Sequence, residues 1–157
     1  MTEHSFAVSV SWTGNKGTGT SGYKDYGREH VMSIPGKEPI AGSADKAFHG
    51  DRSRWNPEEM LIAALSQCHM LSFLHVASAA GIVIQKYSDD ATGTLVLGSD
   101  GGGQMSEVTL KPAIEISAGN ESLVPSLHHR ASELCFIANS VNFPVHHEPH
   151  TVSRASH

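Results

Sequence analysis

Asn56-Pro57-Glu58-Glu59-Met60-Leu61-Ile62-Ala63-Ala64-Leu65-Ser66-Gln67-Cys68 opens a stretch that reaches Gly81 without a helix breaker. The side chain of Asn56 can cap the orphan N–H groups of a first turn. Pro57 fits the first helical position, where no N–H is needed, and Glu58 and Glu59 complement the positive end of the helix dipole. Gly81 is a natural C-terminal stop. The spacing therefore predicts one long helix. Its apolar residues fall on all sides (Met60, Leu61, Ile62, Leu65, Leu71, Phe73, Leu74, Val76), which predicts a central helix covered on most faces. Ser66, Gln67, His69, Ser72, His75 and Ser78 interrupt the apolar run, favouring a buried helix over a membrane span.

Upstream of this helix, Phe6, Val8, Val10 and Trp12 alternate with small or polar residues, the pattern of a half-buried strand. Residues 14–22 are turn-rich and contain a formal G-x-G-x-x-G at Gly17, Gly19 and Gly22. A dinucleotide fingerprint requires a helix immediately afterwards, and Tyr23-Lys24-Asp25-Tyr26-Gly27 offers none, so a hairpin or loop is expected. A strand over 29–34 follows, then a polar excursion over about 35–55. Its length suggests a functional loop.

Downstream, strands are expected at 92–97 and 107–116. In the second, Val108, Leu110, Ile114 and Ile116 share one parity, and Pro112 marks an edge or bulge. A second helix is predicted over 123–139, with Leu127, Ala131, Leu134, Cys135 and Ala138 on one apolar face. Phe143-Pro144-Val145 begins a last strand, and a His-rich tail over about 147–157 is expected to fray. The order specifies an α+β fold with two core helices, in a single domain over 1–157.

The chain has 157 residues and a formal charge of −5, which argues against broad nucleic-acid binding. Met1-Thr2-Glu3-His4-Ser5 shows neither a cationic segment nor an apolar one, so a cytoplasmic, reducing location is expected. Two cysteines in that setting are a reactive or incidental pair more often than a permanent staple. Cys68 lies in mid-helix and Cys135 on the second helix's apolar face, so side-by-side helices would bring the sulfurs together. A thiolate at one position can reduce a peroxide and become a sulfenic acid, which a nearby thiol condenses to a disulfide. The competing reading is two ordinary buried thiols. Eleven histidines invite a metal site, yet His146 and His147 would face opposite ways on a strand, and neither C-x-x-C nor H-E-x-x-H is present. No metal or cofactor is expected. His69 and His75, six residues apart, face apart on the helix; both are expected to be partner-bonded core or groove residues, with His69 able to tune Cys68.

The Asn56–Cys68 block resembles the N-P-E-x-L-x-x-A-x-x-x-x-C signature of the OsmC/Ohr family. Cys135-Phe136-Ile137-Ala138-Asn139-Ser140, followed by Val145, is similar to that family's second cysteine block, and Trp12-Thr13-Gly14 resembles its opening. The resemblance implies a thiol peroxidase acting on organic hydroperoxides, with hydrogen peroxide as a further candidate substrate and with Cys68 as peroxidatic and Cys135 as resolving thiol, recycled by an external thiol or dithiol. It places Glu58 at the family's active-site glutamate, which orients an arginine. The arginine position is open. Arg54 is nearest in sequence, Arg28 and Arg52 are alternatives, and His49 stands where relatives often carry an arginine. It also implies antiparallel sheets clasping the long helix in an intertwined homodimer. Phe136 replaces the family's usual proline, which leaves the second helix unbroken there. Ten residues of helix rise about 15 Å and leave two side chains some 80° apart in azimuth. Glu58 therefore meets Cys68 only if the first turn is splayed or the site is completed across a subunit boundary. The alternative function is a weakly or non-catalytic relative that binds a hydrophobic small molecule or senses redox state.

Overall fold

In a computed structural model, residues 1–154 are described, and they divide into two units, Met1–Met60 and the described residues from Leu61 onward. The first unit holds a three-stranded antiparallel sheet of β1 (Ser9–Trp12), β2 (His30–Ser33) and β3 (Ile40–Gly42). The excursion over 35–55 is thus partly ordered, containing β3 and a 3-10 turn at Lys46–Phe48. Residues 14–22 form turns, and the amides of Gly17 and Gly19 both donate to Asn15 Oδ1 at 2.9 and 3.0 Å. That intraloop bonding is why the glycine pattern forms no phosphate cradle. The alternating strand is present but its apolar face is not half-buried: Phe6 is 92% exposed and Val10 66%.

The long helix, α1 (Pro57–Ala79), starts and stops as its end signals require. Glu59 N–H donates to Asn56 Oδ1 at 2.8 Å, and Asn56 N–H donates to Glu59 Oε2 at 3.2 Å, a reciprocal capping box. Gly81, at φ 76°, takes the left-handed conformation that ends the helix. The expectation of cover on most sides fails. Leu65, His69, Phe73 and Ala77 are buried, a single stripe at spacing four, while Leu71 is 61% exposed.

The second unit packs α1 and α2 (Val124–Leu134) with two three-stranded sheets. One has the order β4 (Val83–Asp89), β7 (Pro112–Ala118), β9 (His150–Ser153); the other is β5 (Thr92–Leu97), β6 (Gly103–Leu110), β8 (Val145–His147). The sheets are mixed rather than wholly antiparallel, because β7–β9 and β6–β8 run parallel. The strand expected over 107–116 is two strands broken at Lys111, and Pro112 takes the first position of β7, where its missing N–H is tolerated. Its four same-parity residues are all buried, Val108 and Leu110 in one core cluster and Ile114 and Ile116 in the other. Strand β4 was not expected. Nor does the tail fray from 147: His150–Ser153 pairs in register with Ala113–Ile116, while residues 155–157 of that expectation lie outside the described residues. Gly93 lets β5 approach α1 closely, since a Cβ there would stand 2.7 Å from the Ile62 side chain.

A polar contact crosses the apolar core. His69 of α1 and His128 of α2 are buried, share a ring-nitrogen hydrogen bond of 3.1 Å, and lie nearly parallel. Phe73 stacks on His128 at 4.0 Å, and His147 of β8 lies 4.5 Å from His69 between ring centres. Such a bond needs one N–H and one lone pair, so it exists only while at least one ring is neutral. His69 Nδ1 and His128 Nε2 are buried without partners. Burial, reinforced by His147, holds His69 down at about 3 and His128 at about 4.

Two outcomes follow from this packing. Phe73→Ala should cost about 3–5 kcal/mol in denaturant unfolding, since it empties a fully buried aromatic site. Acid should also weaken the fold. Both histidines titrate near 6.5 when unfolded, so the unfolded chain binds more protons below that pH. The stability of the neutral pair is complete above about pH 6.5 and drains as pH falls toward 4 and 3. His69→Gln/His128→Gln should flatten the pH dependence of unfolding between pH 7 and 5; equal slopes in parent and variant would contradict the assignment.

Candidate active site

Cys68 lies in the middle of α1, one residue before the buried His69, and is half-buried. Cys135 caps the C-terminal end of α2 and is 1% exposed. Both are free thiols, and Cys68 lies close enough to Cys135 to raise the pKa of its thiol. The apposition expected from helices lying side by side is therefore present, although Cys135 is not on a helical stripe. Helix α2 ends at Leu134, and Cys135 is extended at φ −71°, ψ 108°. The helix stops there without the family's proline, so Phe136 does not leave it unbroken. Asn139 supplies the termination: its N–H donates to the Cys135 carbonyl at 3.0 Å and its side-chain amide to the Glu133 carbonyl at 3.0 Å. Phe136 itself points outward, 81% exposed.

The two sulfurs have different surroundings. The Cys135 thiol is pushed up to about 11, first by burial and then by the hydrogen bond and negative charge of Cys68, against the lowering effect of backbone N–H groups. The Ala138 N–H donates to Cys135 Sγ at 3.4 Å. Cys135 thus remains a protonated thiol at neutral pH beside a more accessible sulfur.

The turn of α1 carrying Cys68 is tied down by a group that the sequence did not single out. Ser66 Oγ donates to Asp89 Oδ2 at 2.6 Å, and the other Asp89 oxygen accepts the Lys111 N–H at 2.6 Å. One carboxylate at the end of β4 therefore fixes both the helix and the β6–β7 junction. The His69 ring is engaged by His128 and His147, the partner-bonded core position expected of it. His75 is exposed rather than in the core. The one sequence cue for His128 is its place on the stripe Val124, His128, Ala131, all buried.

In the first unit, Glu58 occupies a regular first turn, because the Met60 N–H donates to the Asn56 carbonyl at 3.0 Å and the capping box holds Glu59. The splayed-turn option is thereby removed, and Glu59 serves the helix end alone. Among the described residues Glu58 makes no ion pair, so the expected arginine–glutamate pair is not formed within the chain. The arginines are engaged locally instead. Arg54 Nη1 donates to the His30 carbonyl at 3.4 Å, and its Nε lies 4.0 Å from Asp51. Arg28 donates to the carbonyls of Tyr26 and Tyr23 at 2.6 Å each, with its guanidinium against both rings. Arg52 is exposed.

The family model described as OsmC-like protein matches residues 49–149. No curated protein matches the sequence. An OsmC-like protein of unknown function from Vibrio cholerae is 33% identical in sequence, with a TM-score of 0.80 over 95% of this chain and 99% of its own. An OsmC-like protein from Mycoplasma pneumoniae is 17% identical, with a TM-score of 0.74 over 96% of this chain and 99% of its own. An organic hydroperoxide resistance protein from Elizabethkingia anophelis shares the fold at 17% identity, with a TM-score of 0.68 over 98% of this chain and all of its own. With the motif blocks, the two apposed thiols and this match falling on one stretch of sequence, the chain belongs to the OsmC-like family.

Proposed function

We propose that the protein is a cytoplasmic thiol peroxidase that reduces organic hydroperoxides to alcohols. The observation that carries this reading is the proximity of a half-buried thiol at Cys68 to a buried, protonated thiol at Cys135. In the first step the Cys68 thiolate attacks the terminal peroxide oxygen. The O–O bond breaks, the alkoxide leaves and takes a proton, and Cys68 becomes a sulfenic acid. In the second step Cys135 attacks that sulfur. The S–S bond forms, and the hydroxyl of the sulfenic acid departs as water with the proton Cys135 carried. A thiol or dithiol from outside the protein then returns both cysteines to the reduced state. The elevated pKa of Cys135 suits this order, because a protonated resolving thiol does not compete for peroxide and brings its own proton for the leaving water. No metal or cofactor enters the cycle.

Glu58 and an arginine are assigned by the family likeness, the arginine to hold the thiolate and stabilise charge on the departing alkoxide. Arg54 is the first choice and Arg28 and Arg52 the alternatives. We also infer a homodimer, supported by the regular first turn at Glu58 and by the exposed apolar residues that the chain leaves on α1 and β1.

Mixing the reduced protein with an alkyl hydroperoxide should consume two thiols per chain and release one alcohol. Cys68→Ser should abolish consumption, whereas Cys135→Ser should allow a single turnover and then over-oxidation of Cys68. Full activity in the Cys68 variant, or thiols that survive excess peroxide, would overturn the reading, the second outcome in favour of a relative that binds a hydrophobic small molecule. Arg54→Lys, Arg28→Lys and Arg52→Lys, compared by the rate of the first thiol loss, identify the arginine. The active one should lose roughly 100-fold or more, in line with loss of an oxyanion-stabilising donor.

A further inference from the structure

The first unit carries a cleft of about 400 Å³ lined by Lys16, Lys24, Tyr26, Arg28, Lys46 and His49. Four fixed cations face the one carboxylate in the lining, that of Glu29, in a chain whose net charge is −5. A cationic cluster on an acidic protein does not arise from overall composition. Arg28 is preorganised there: two of its five N–H groups are spent on the carbonyls of Tyr26 and Tyr23, and its plane rests 3.9 Å and 4.6 Å from the two ring centres. Three donors of its planar fork stay uncommitted. The opposite wall is also held. His49 packs edge-on to Tyr23 at 5.0 Å and adopts φ 62°, the one left-handed non-glycine backbone among the described residues, closing the 3-10 turn that carries Lys46.

We propose that this cleft binds a small phosphate-class polyanion, such as a phosphorylated metabolite. A monocarboxylate would neutralise only one of the four cations. Two or more phosphate charges match a guanidinium fork flanked by ammonium groups, since phosphate accepts both planar bidentate and point-charge partners. The volume is in the range of small-molecule sites and exceeds a single inorganic anion, so the ligand has room for an organic body against Tyr26. The glycine amides of the preceding loop take no part, being bonded to Asn15; the charge is met by side chains.

Isothermal titration of the full chain with pyrophosphate and with adenosine diphosphate at low salt tests this. Saturable binding at one site per chain is expected for both, weakening as salt is raised by about 0.2 M. Similar affinity for the two probes means that the diphosphate alone is read, and tighter adenosine diphosphate means that the Tyr26 wall contributes. Lys24→Gln/Lys46→Gln should weaken binding by roughly tenfold or more, as loss of two charge-assisted partners implies. Lys86→Gln/Lys111→Gln, outside the cleft, should leave it unchanged. These lysines are exposed or solvent-facing, so circular dichroism matching the parent is expected for both variants. Absence of saturable heat with either probe overturns the proposal. So does binding that survives Lys24→Gln/Lys46→Gln, or that falls equally in the two double variants. The cysteine variants leave this readout untouched, so failure here is separable from failure of the peroxidase reading.

Discussion

Burial of one stripe of α1, Leu65, His69, Phe73 and Ala77, is the constraint on which the second unit depends. Leu65 belongs to the cluster with Val108 and Leu110 of β6, while Phe73 and Ala77 belong to the cluster with Ile114 and Ile116 of β7. One helix thus seals two sheets, and His69 marks the seam between the two apolar clusters. Cys68 precedes this seam by one residue, so the packing that fixes the stripe also fixes the azimuth of the sulfur. A side chain one residue from a buried position is turned by about 100°, which leaves it half-exposed against a neighbouring element. That is the exposure a reactive thiol requires.

The partner sulfur is placed by a different device. Had α2 continued through Cys135, the thiol would ride on a helical face with its position dictated by the stripe. Ending the helix at Leu134 instead turns Cys135 into an extended residue whose carbonyl and sulfur both accept backbone N–H groups, from Asn139 and Ala138. The sulfur gains a fixed donor while staying buried. The His69–His128 contact then joins the two helices that carry the cysteines through a bond sensitive to protonation, where a leucine pair would have given only cohesion. Each orphaned ring nitrogen is a standing cost in an apolar core, so the pair trades stability for a directional link.

The first block of α1 was readable because its signals are local. Asn56, Pro57, Glu59 and Gly81 act within one turn of the helix ends, and each does in the fold what its chemistry dictates. Strand parity was equally local, and the buried set Val108, Leu110, Ile114 and Ile116 survives even though the strand breaks at Lys111. What escaped was non-local. Asp89 anchors Ser66 across 23 residues, and the histidine bond spans 59; no periodicity reports either. The parallel pairing of β9 with β7 was hidden because a polar strand such as His150–Ser153 looks like tail when its partner is unknown. The end of α2 was misplaced because Phe136 and Ile137 sustain an apolar pattern that backbone bonds to Cys135 override. Of the candidate site, the cysteine pair was legible and the arginine was not, since the arginines spend their donors on carbonyls and on Asp51.

Two features that look like separate shortfalls have a common resolution in the proposed homodimer. Glu58 sits half-buried at a well-capped helix start without an ion pair among the described residues, and Asn56 and Glu59 already satisfy the helix end without it. The apolar residues Val8, Val10 and Leu71 stand exposed to water, a cost of about 25 cal/mol for each Å² left wet. Within one chain the capping box holds the first turn and the pairing of β1 with β2 sets which residues face outward. In the proposed homodimer a second copy would cover the apolar residues and bring a cation to Glu58. Under that proposal, exposed apolar surface and a carboxylate without an ion pair are the two halves of one interface, the first providing its free energy and the second its chemistry.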